Sequence, residues 1–256
     1  MIHATAIIDS SAKIAAGVEV GPYTVIGADV EIGEGSVIGP HVVINGPTRI
    51  GKENRIFQFA SVGERPQDLK YHGEPTRLEI GDRNTIREGV TLSRGTVGGG
   101  GVTTIGNDNL LMAYVHVAHD CHIADRTIFS NNASLAGHVR VGSQVILSGF
   151  TLVHQFCSIG DHAFAGMGSA ISKDVPPYLM VSGSPAAPHG INREGLKRRG
   201  FSAATMQQIL AAYRLLYRAG LSFSEAKEQI KAAAADSPEV ALFYAALEQT
   251  TRGIIR

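Results

Sequence analysis

The sequence predicts an all-β solenoid, a left-handed parallel β-helix of hexapeptide repeats, followed by a C-terminal α-helical region. Two stretches of repeat and one change of period carry that prediction. An aliphatic residue recurs at every sixth position from Ile2 to Val62, and the same phase resumes at Ile80, Ile86 and Leu92. After one slip it runs again from Ile105 through Leu111, Val117, Ile123 and so on to Ile171, with Phe129 and Ala165 alone outside Val, Ile and Leu. Beyond Pro176-Pro177 the apolar spacing becomes that of helices.

A period of six is the signature of a parallel β-helix. The aliphatic side chain points inward, and small or β-branched residues such as Val18, Thr24, Ser36 and Thr127 turn in beside it. Glycines follow many of the aliphatic residues (Gly21, Gly33, Gly51, Gly106, Gly142) and are expected to serve the tight corners. Three hexapeptides close one triangular coil, so residues eighteen apart stack at about 4.8 Å. About nine coils make a prism roughly 43 Å long. In this register His119, Gly137 and Gln155 fall in one column, with His138 and His154 one place to either side.

Taken in order, residues 1–177 form the solenoid, interrupted at 63–79 and 94–104. The first interruption keeps the phase, so it reads as a loop thrown out from a corner, and it holds Gln67-Asp68-Leu69-Lys70-Tyr71. Loops on rigid scaffolds are where function concentrates. The second contains Gly98-Gly99-Gly100-Gly101 and reads as a mobile excursion. Pro176-Pro177 is expected to stop the coils, and 178–191, with Pro185 and Pro188, reads as a linker.

Residues 192–256 read as helices. A short one is expected around Glu194 to Arg199. Ser202 precedes a stripe of Met206, Ile209, Leu210, Tyr213, Leu216 and Tyr217, ended by Gly220. Ser222 with Glu225 forms a capping box, and Ser237-Pro238 opens a last helix with Pro at its first position.

Of the 256 residues, 44% are hydrophobic and 18% charged, as in an ordinary soluble protein. No apolar run approaches the ~18 residues of a membrane span, and no basic, apolar leader is visible, so a cytoplasmic location is expected. Net charge is zero, but from Asn192 onward ten Lys and Arg stand against six Asp and Glu, giving +4. That asymmetry suits an acidic partner or a phosphate. Without interleaved aromatic platforms it does not suggest nucleic acid. Cys121 and Cys157 lie two coils apart, beyond disulfide reach, and read as buried thiols.

Flat prism faces invite trimers packed about a parallel axis, with clefts between subunits. A histidine in such a cleft suits general base work near neutral pH. His3, His41, His72 and His162, taken singly, read as surface residues. The fold does not require the stacked His119, His138, His154 and Gln155, which mark a site.

The chain resembles the UDP-N-acetylglucosamine O-acyltransferases that begin lipid A synthesis, over essentially its whole length. The most specific motifs are Gln67-Asp68-Leu69-Lys70-Tyr71, Gly73-Glu74-Pro75-Thr76-Arg77, His116-Val117-Ala118-His119-Asp120, Leu135-Ala136-Gly137-His138, His154-Gln155-Phe156 and Glu194 to Phe201. The resemblance implies a homotrimer that moves an (R)-3-hydroxyacyl group from acyl carrier protein to the sugar 3-hydroxyl of UDP-N-acetylglucosamine. His119 would be the general base, supported by Asp120, and the Gly137 N–H would receive the oxyanion. Gln67, Asp68, Lys70 and His138 would hold the sugar, with His116 and His154 lining the site. Asn192, Glu194, Gln155, Arg198 and Arg199 would hold the nucleotide. A thioester is already activated, so no metal and no cofactor beyond the carrier protein's phosphopantetheine is expected. The basic helices would meet the acidic carrier.

One departure is Ser93 before Arg94-Gly95-Thr96, where the family usually has His. Met167 falls where the family controls acyl length, and a Met there favours a medium chain of about ten carbons. Three other readings stay open. An N-acyltransferase of the same pathway would carry an extra N-terminal domain, a γ-type carbonic anhydrase would bind zinc through His116, His119 and His138, and a non-catalytic solenoid would want flat Thr arrays.

Overall fold

The computed structural model describes residues 1–256. Strands of mostly two residues coincide with the repeat. Glu19–Val20, Val25–Ile26 and Val30–Ile32 make one coil and belong to three different parallel sheets. We number these faces first (nine strands), second (eight) and third (ten); the chain winds from third to first to second as a left-handed helix. Register is eighteen residues between coils without an insertion, as in Val25 beside Val43 and Val43 beside Ser61, until the last coil, where Phe164 lies beside Met180.

The repeated aliphatic side chains fill the prism as one continuous core, with Ile26, Ile44, Val62, Leu92 and Val117 all buried. Each contributes roughly 1.5–3 kcal/mol of burial. The first coil has a neighbour on one side only, and Ile2 is accordingly 50% exposed. Between the second and third faces a polar column replaces the aliphatic one. The side chains of Ser36, Asn54, Asn84 and Asn109 each accept the backbone N–H of the next member, ending at Thr127.

The corners differ from expectation in one respect. Gly21, Gly33, Gly51, Gly106 and Gly142 do not take left-handed φ; they are required by close approach. A Cβ at Gly33 would lie 2.5 Å from the backbone of Gly51 one coil on. The left-handed residue comes two places later, and it is seldom glycine: Tyr23, His41, Asp120, His138, Phe156 and others hold φ between +55° and +69°. Such a conformation costs about 1–2 kcal/mol per residue, and the stacked coil ladders hold it.

Both insertions leave the same corner, between first and second faces, and are shorter than the sequence suggested. The strands Ser61–Glu64 and Arg77–Ile80 leave 65–76 outside regular structure, and Thr91–Ser93 and Val102–Ile105 leave 94–101. The reason is that Leu78 and Thr103 are buried and pair across the coil, zipping up the ends of both loops. The second loop is ordered around a 3₁₀ turn at Val97–Gly99.

The stretch 178–191 is not a linker. Leu179–Gly183 adds to the third face beside Phe164–Ala165 and pairs antiparallel with Ala186–Ile191. Pro176-Pro177 therefore does not end the sheet; Tyr178 beyond it is buried. Pro185 sits in the hairpin turn and Pro188 at a register shift on the outermost strand, where a missing N–H is tolerated.

Four helices follow: α1 (Arg193–Arg198), α2 (Ala203–Tyr217), α3 (Phe223–Ala234) and α4 (Pro238–Gln249). Ser202 caps α2, Ser222 and Glu225 form the full capping box of α3, and Pro238 opens α4 behind Ser237. After α4 the chain returns to the solenoid, where Ile254 and Ile255 are buried and Asp174 accepts from Thr250. No helix is long and apolar enough to cross a membrane.

Candidate active site

The corner between first and second faces collects most of the chemistry-bearing residues. Strand His116–Val117 lies on the first face and His122–Ile123 on the second, so the turn between them carries His119 and Asp120. One coil on, the turn carries Gly137 and His138, and the next carries Gln155 and Phe156. The two inserted loops belong to the coils on the other side of His119.

His119 Nδ1 lies 2.8 Å from Asp120 Oδ2, and the Asp120 side chain is 1% exposed. Neighbours on a strand point to opposite sides, but these two lie in a turn, and the φ of +59° at Asp120 swings its carboxylate back to the ring. A carboxylate only accepts, so the ring's Nδ1 is the donor, and in the neutral ring the lone pair is at Nε2. Thr96 donates to both Asp120 oxygens, from its N–H to Oδ1 at 2.8 Å and from Oγ1 to Oδ2 at 2.6 Å.

Gly137 packs directly over the imidazole. A Cβ there would lie 2.6 Å from His119 Cε1 and 2.8 Å from Nε2. Its N–H, like that of the first residue in the other turns of this corner, donates to no protein acceptor. The position thus joins a free amide donor to a close imidazole.

His138 stands edge-on to His119, at 5.0 Å between ring centroids, and stacks face to face on Phe156 at 4.4 Å. Its Nδ1 is 3.7 Å from Asp120 Oδ2. Burial holds His138 below the usual value near 6.5; Asp120 and, more weakly, Asp68 push the other way, which places Asp68 of the first loop within electrostatic reach. His116 is lowered by burial and by His119, and its Nδ1 bonds Thr91 Oγ1 at 2.7 Å. His154 is exposed beside Arg252, at 3.2 Å.

In the first loop, Asp68 accepts from the Lys70 N–H and the Tyr71 hydroxyl closes on Glu74. Arg94 ties the loop to the corner, donating to Tyr71 and to the Gly46 carbonyl. Gln67 and Lys70 are exposed. Ser93 is buried at the end of its strand, opposite Glu64. A cleft of about 560 Å³ opens beside Asp120 and His138. It is lined also by His122, Arg140 and Phe156, none of which sequence reasoning assigned to the site.

The remaining predicted residues lie elsewhere in the chain. Asn192 caps α1, accepting from Gly195 N–H and donating to the His162 carbonyl, which leaves one N–H and one lone pair of its amide uncommitted. Arg199 donates to the Gln144 carbonyl at 2.7 Å. Gln144 and His162 mark the corner between second and third faces, so Asn192, Glu194, Arg198 and Arg199 occupy that corner. Met167 is on the third corner, between third and first faces, and is 80% exposed. One chain therefore does not bring these residues to His119, because a rigid prism keeps its corners apart.

A metal reading fares differently from expectation. The three histidines His116, His119 and His138 do not converge; the set whose donor atoms lie within 4.8 Å of one another is His119, Asp120 and His138. In that set Asp120 Oδ2 is already shared by His119 and Thr96, a hydrogen-bond relay rather than a ligand sphere.

Comparison with known proteins decides the family. Residues 174–255 match the family described as UDP N-acetylglucosamine O-acyltransferase, domain 2, and residues 11–46 and 103–137 match the bacterial transferase hexapeptide repeat. The acyl-[acyl-carrier-protein]–UDP-N-acetylglucosamine O-acyltransferase of Stutzerimonas stutzeri is 57% identical over 100% of this chain and 99% of its own. This chain belongs to the UDP-N-acetylglucosamine O-acyltransferase family. The Thiobacillus denitrificans member is 58% identical over 100% of this chain and 99% of its own. The crystal structure of LpxA from Acinetobacter baumannii superposes with a TM-score of 0.98 at 52% identity, covering 100% of this chain and 99% of that one. The family's two sequence signatures thus fall on the solenoid and on the helical region that carry the corners described above.

Proposed function

We propose that the protein transfers a 3-hydroxyacyl chain from acyl carrier protein to the 3-hydroxyl of UDP-N-acetylglucosamine, the first step of lipid A synthesis. The observation that carries this reading is the His119–Asp120 pair under the Gly137 amide, in a chain of this family.

His119 Nε2 takes the proton of the sugar hydroxyl as its oxygen attacks the thioester carbonyl. Asp120, fixed on Nδ1, stabilises the imidazolium that forms. Negative charge gathers on the carbonyl oxygen and is met by the free N–H of Gly137, a donor of a kind worth about 3 kcal/mol. Collapse breaks the C–S bond, and the imidazolium returns its proton to the departing phosphopantetheine thiolate. Each proton lost is regained, so the step balances without a metal.

Gln67, Asp68, Lys70 and His138 hold the sugar, with His116 and His154 at the margins. Gln155, Asn192, Glu194, Arg198 and Arg199 hold the nucleotide, with forked arginine donors on the diphosphate, and Met167 closes the end of the acyl groove. Because these groups sit on three corners of one prism, the reading requires that neighbouring chains of a homotrimer contribute different corners to each site. The half-exposed or exposed side chains of Tyr23, Phe59, Tyr114, Phe150 and Met167, which share one edge, supply apolar surface for such packing. The helical region, net positive, meets the acidic carrier protein.

The test is an acyl-transfer assay with purified protein, UDP-N-acetylglucosamine and carrier protein loaded with 3-hydroxyacyl chains of several lengths. Acylated nucleotide sugar, lost in His119→Ala, supports the reading. No product with any chain length removes it.

A further inference from the structure

We infer that Thr96 is a positioning residue for the reaction: it fixes the Asp120 carboxylate, and through it the base His119. The sequence gives no hint of this, because Thr96 opens a glycine-rich run that reads as a mobile excursion.

The geometry is specific. Asp120 receives three hydrogen bonds on its two oxygens. Oδ1 takes the Thr96 N–H, and Oδ2 takes the Thr96 hydroxyl and His119 Nδ1. The Asp120 N–H is also spent, on Thr103 Oγ1 at 2.8 Å. Two donors from one residue set the plane of the carboxylate without help from His119, as a bidentate partner does. The lone pair left on Oδ2 then faces Nδ1, and Nε2 is left as the base.

The loop is shaped around this contact. The Thr96 carbonyl accepts the N–H groups of Gly99, at 3.1 Å, and Gly101, at 2.8 Å, which curls 97–101 back over the carboxylate. A Cβ at Gly99 would lie 2.0 Å from Asp120 Cγ. Glycine there lets the loop backbone close on the carboxylate, and Thr96 is 8% exposed beneath it. A buried carboxylate without its donors is costly and reorients or takes a proton. Either outcome uncouples it from His119.

The inference rests on acyl transfer by His119, and the experiment separates the two. Thr96→Val keeps the shape and the amide but removes the hydroxyl; Thr96→Ser restores it. In the acyl-transfer assay, Thr96→Val is expected to lower kcat about 10- to 100-fold with KM within about threefold, and Thr96→Ser to stay within about threefold of native. Against an Asp120→Asn background, Thr96→Val should lower kcat by no more than about twofold further, since a residue acting through Asp120 has nothing left to act on. Equal losses in both backgrounds, a Thr96→Ser as impaired as Thr96→Val, or native kcat in Thr96→Val overturn the inference while an active native chain leaves the acyl-transfer reading standing. Should Thr96→Val fail to fold, Gly99→Ala, which presses on the same carboxylate, is expected to lower kcat with KM retained; native kcat there has the same adverse meaning.

Discussion

His119 Nδ1 and Asp120 Oδ2 are 2.8 Å apart although the two residues are adjacent in sequence. Adjacent side chains on a strand diverge, and this pair converges only because Asp120 sits in the left-handed region at a prism corner. The same corner geometry places His138 and Phe156 above Asp120 in the next two coils, so the site is a by-product of coil stacking. Its consequences for variants follow from these contacts.

Removing the proposed base should cost most. His119→Ala is expected to lower kcat about 10²- to 10⁴-fold with little change in KM, the range of a general base. Asp120→Asn, which keeps the shape but offers Nδ1 a donor or a neutral acceptor, should lose less but in the same parameter. Steady-state kinetics beside thermal melts checks both, and an unchanged kcat in His119→Ala would remove the base assignment.

Gly137→Ala should be inactive or nearly so without unfolding. The added methyl would meet the His119 ring at 2.6 Å, and the backbone there has an ordinary φ, so the damage is to the ring and its amide neighbour. Circular dichroism and melting temperature should stay near native while kcat falls about 100-fold or more. A variant with native kcat would show that ring and amide do not act together.

Stability should fall as pH drops from about 7 toward 5. His116, His122, His138 and His162 are all held below their usual value near 6.5, with burial the largest cause in each. A histidine with a depressed folded pKa binds fewer protons folded than unfolded, so its contribution is present above the unfolded pKa and is lost as pH falls through and below it. Melting temperature measured against pH checks this, and His138→Gln should flatten the slope. A melting temperature that rises toward pH 5 would contradict it.

Much of this was legible in the sequence. The hexapeptide rhythm gave the solenoid, and the eighteen-residue coil put His119, Gly137 and Gln155 on one corner, because register in a β-helix is simple arithmetic. Capping residues Ser202, Ser222 and Ser237 gave the helix starts. The hairpin at 178–191 was missed because Pro185 and Pro188 read as breaks, yet an outermost strand tolerates them. Thr96 and Gly99 were missed because their roles depend on how an irregular loop folds back, which no period encodes. Phe156 carries no signal beyond its motif, as its stacking on His138 needs the left-handed turns at both residues.

On the proposed reading, in which Met167 closes the acyl groove, Met167→Gly should shift donor preference toward longer acyl chains. Discrimination of about 1–3 kcal/mol per methylene makes the shift easy to read as a change in relative kcat/KM across chain lengths. An unchanged preference would free Met167 of that role.

The most direct measurement mixes two inactive variants. On the proposed reading His119→Ala lacks the base and an Arg198→Ala, Arg199→Ala double variant lacks the nucleotide clamp, so each alone is expected to be nearly inactive. If neighbouring chains contribute different corners, trimers assembled at random from equal amounts of both should recover about a quarter of native activity, because one site in four unites an intact base with an intact clamp. Activity that stays at the level of the two separate variants would contradict a site shared between subunits.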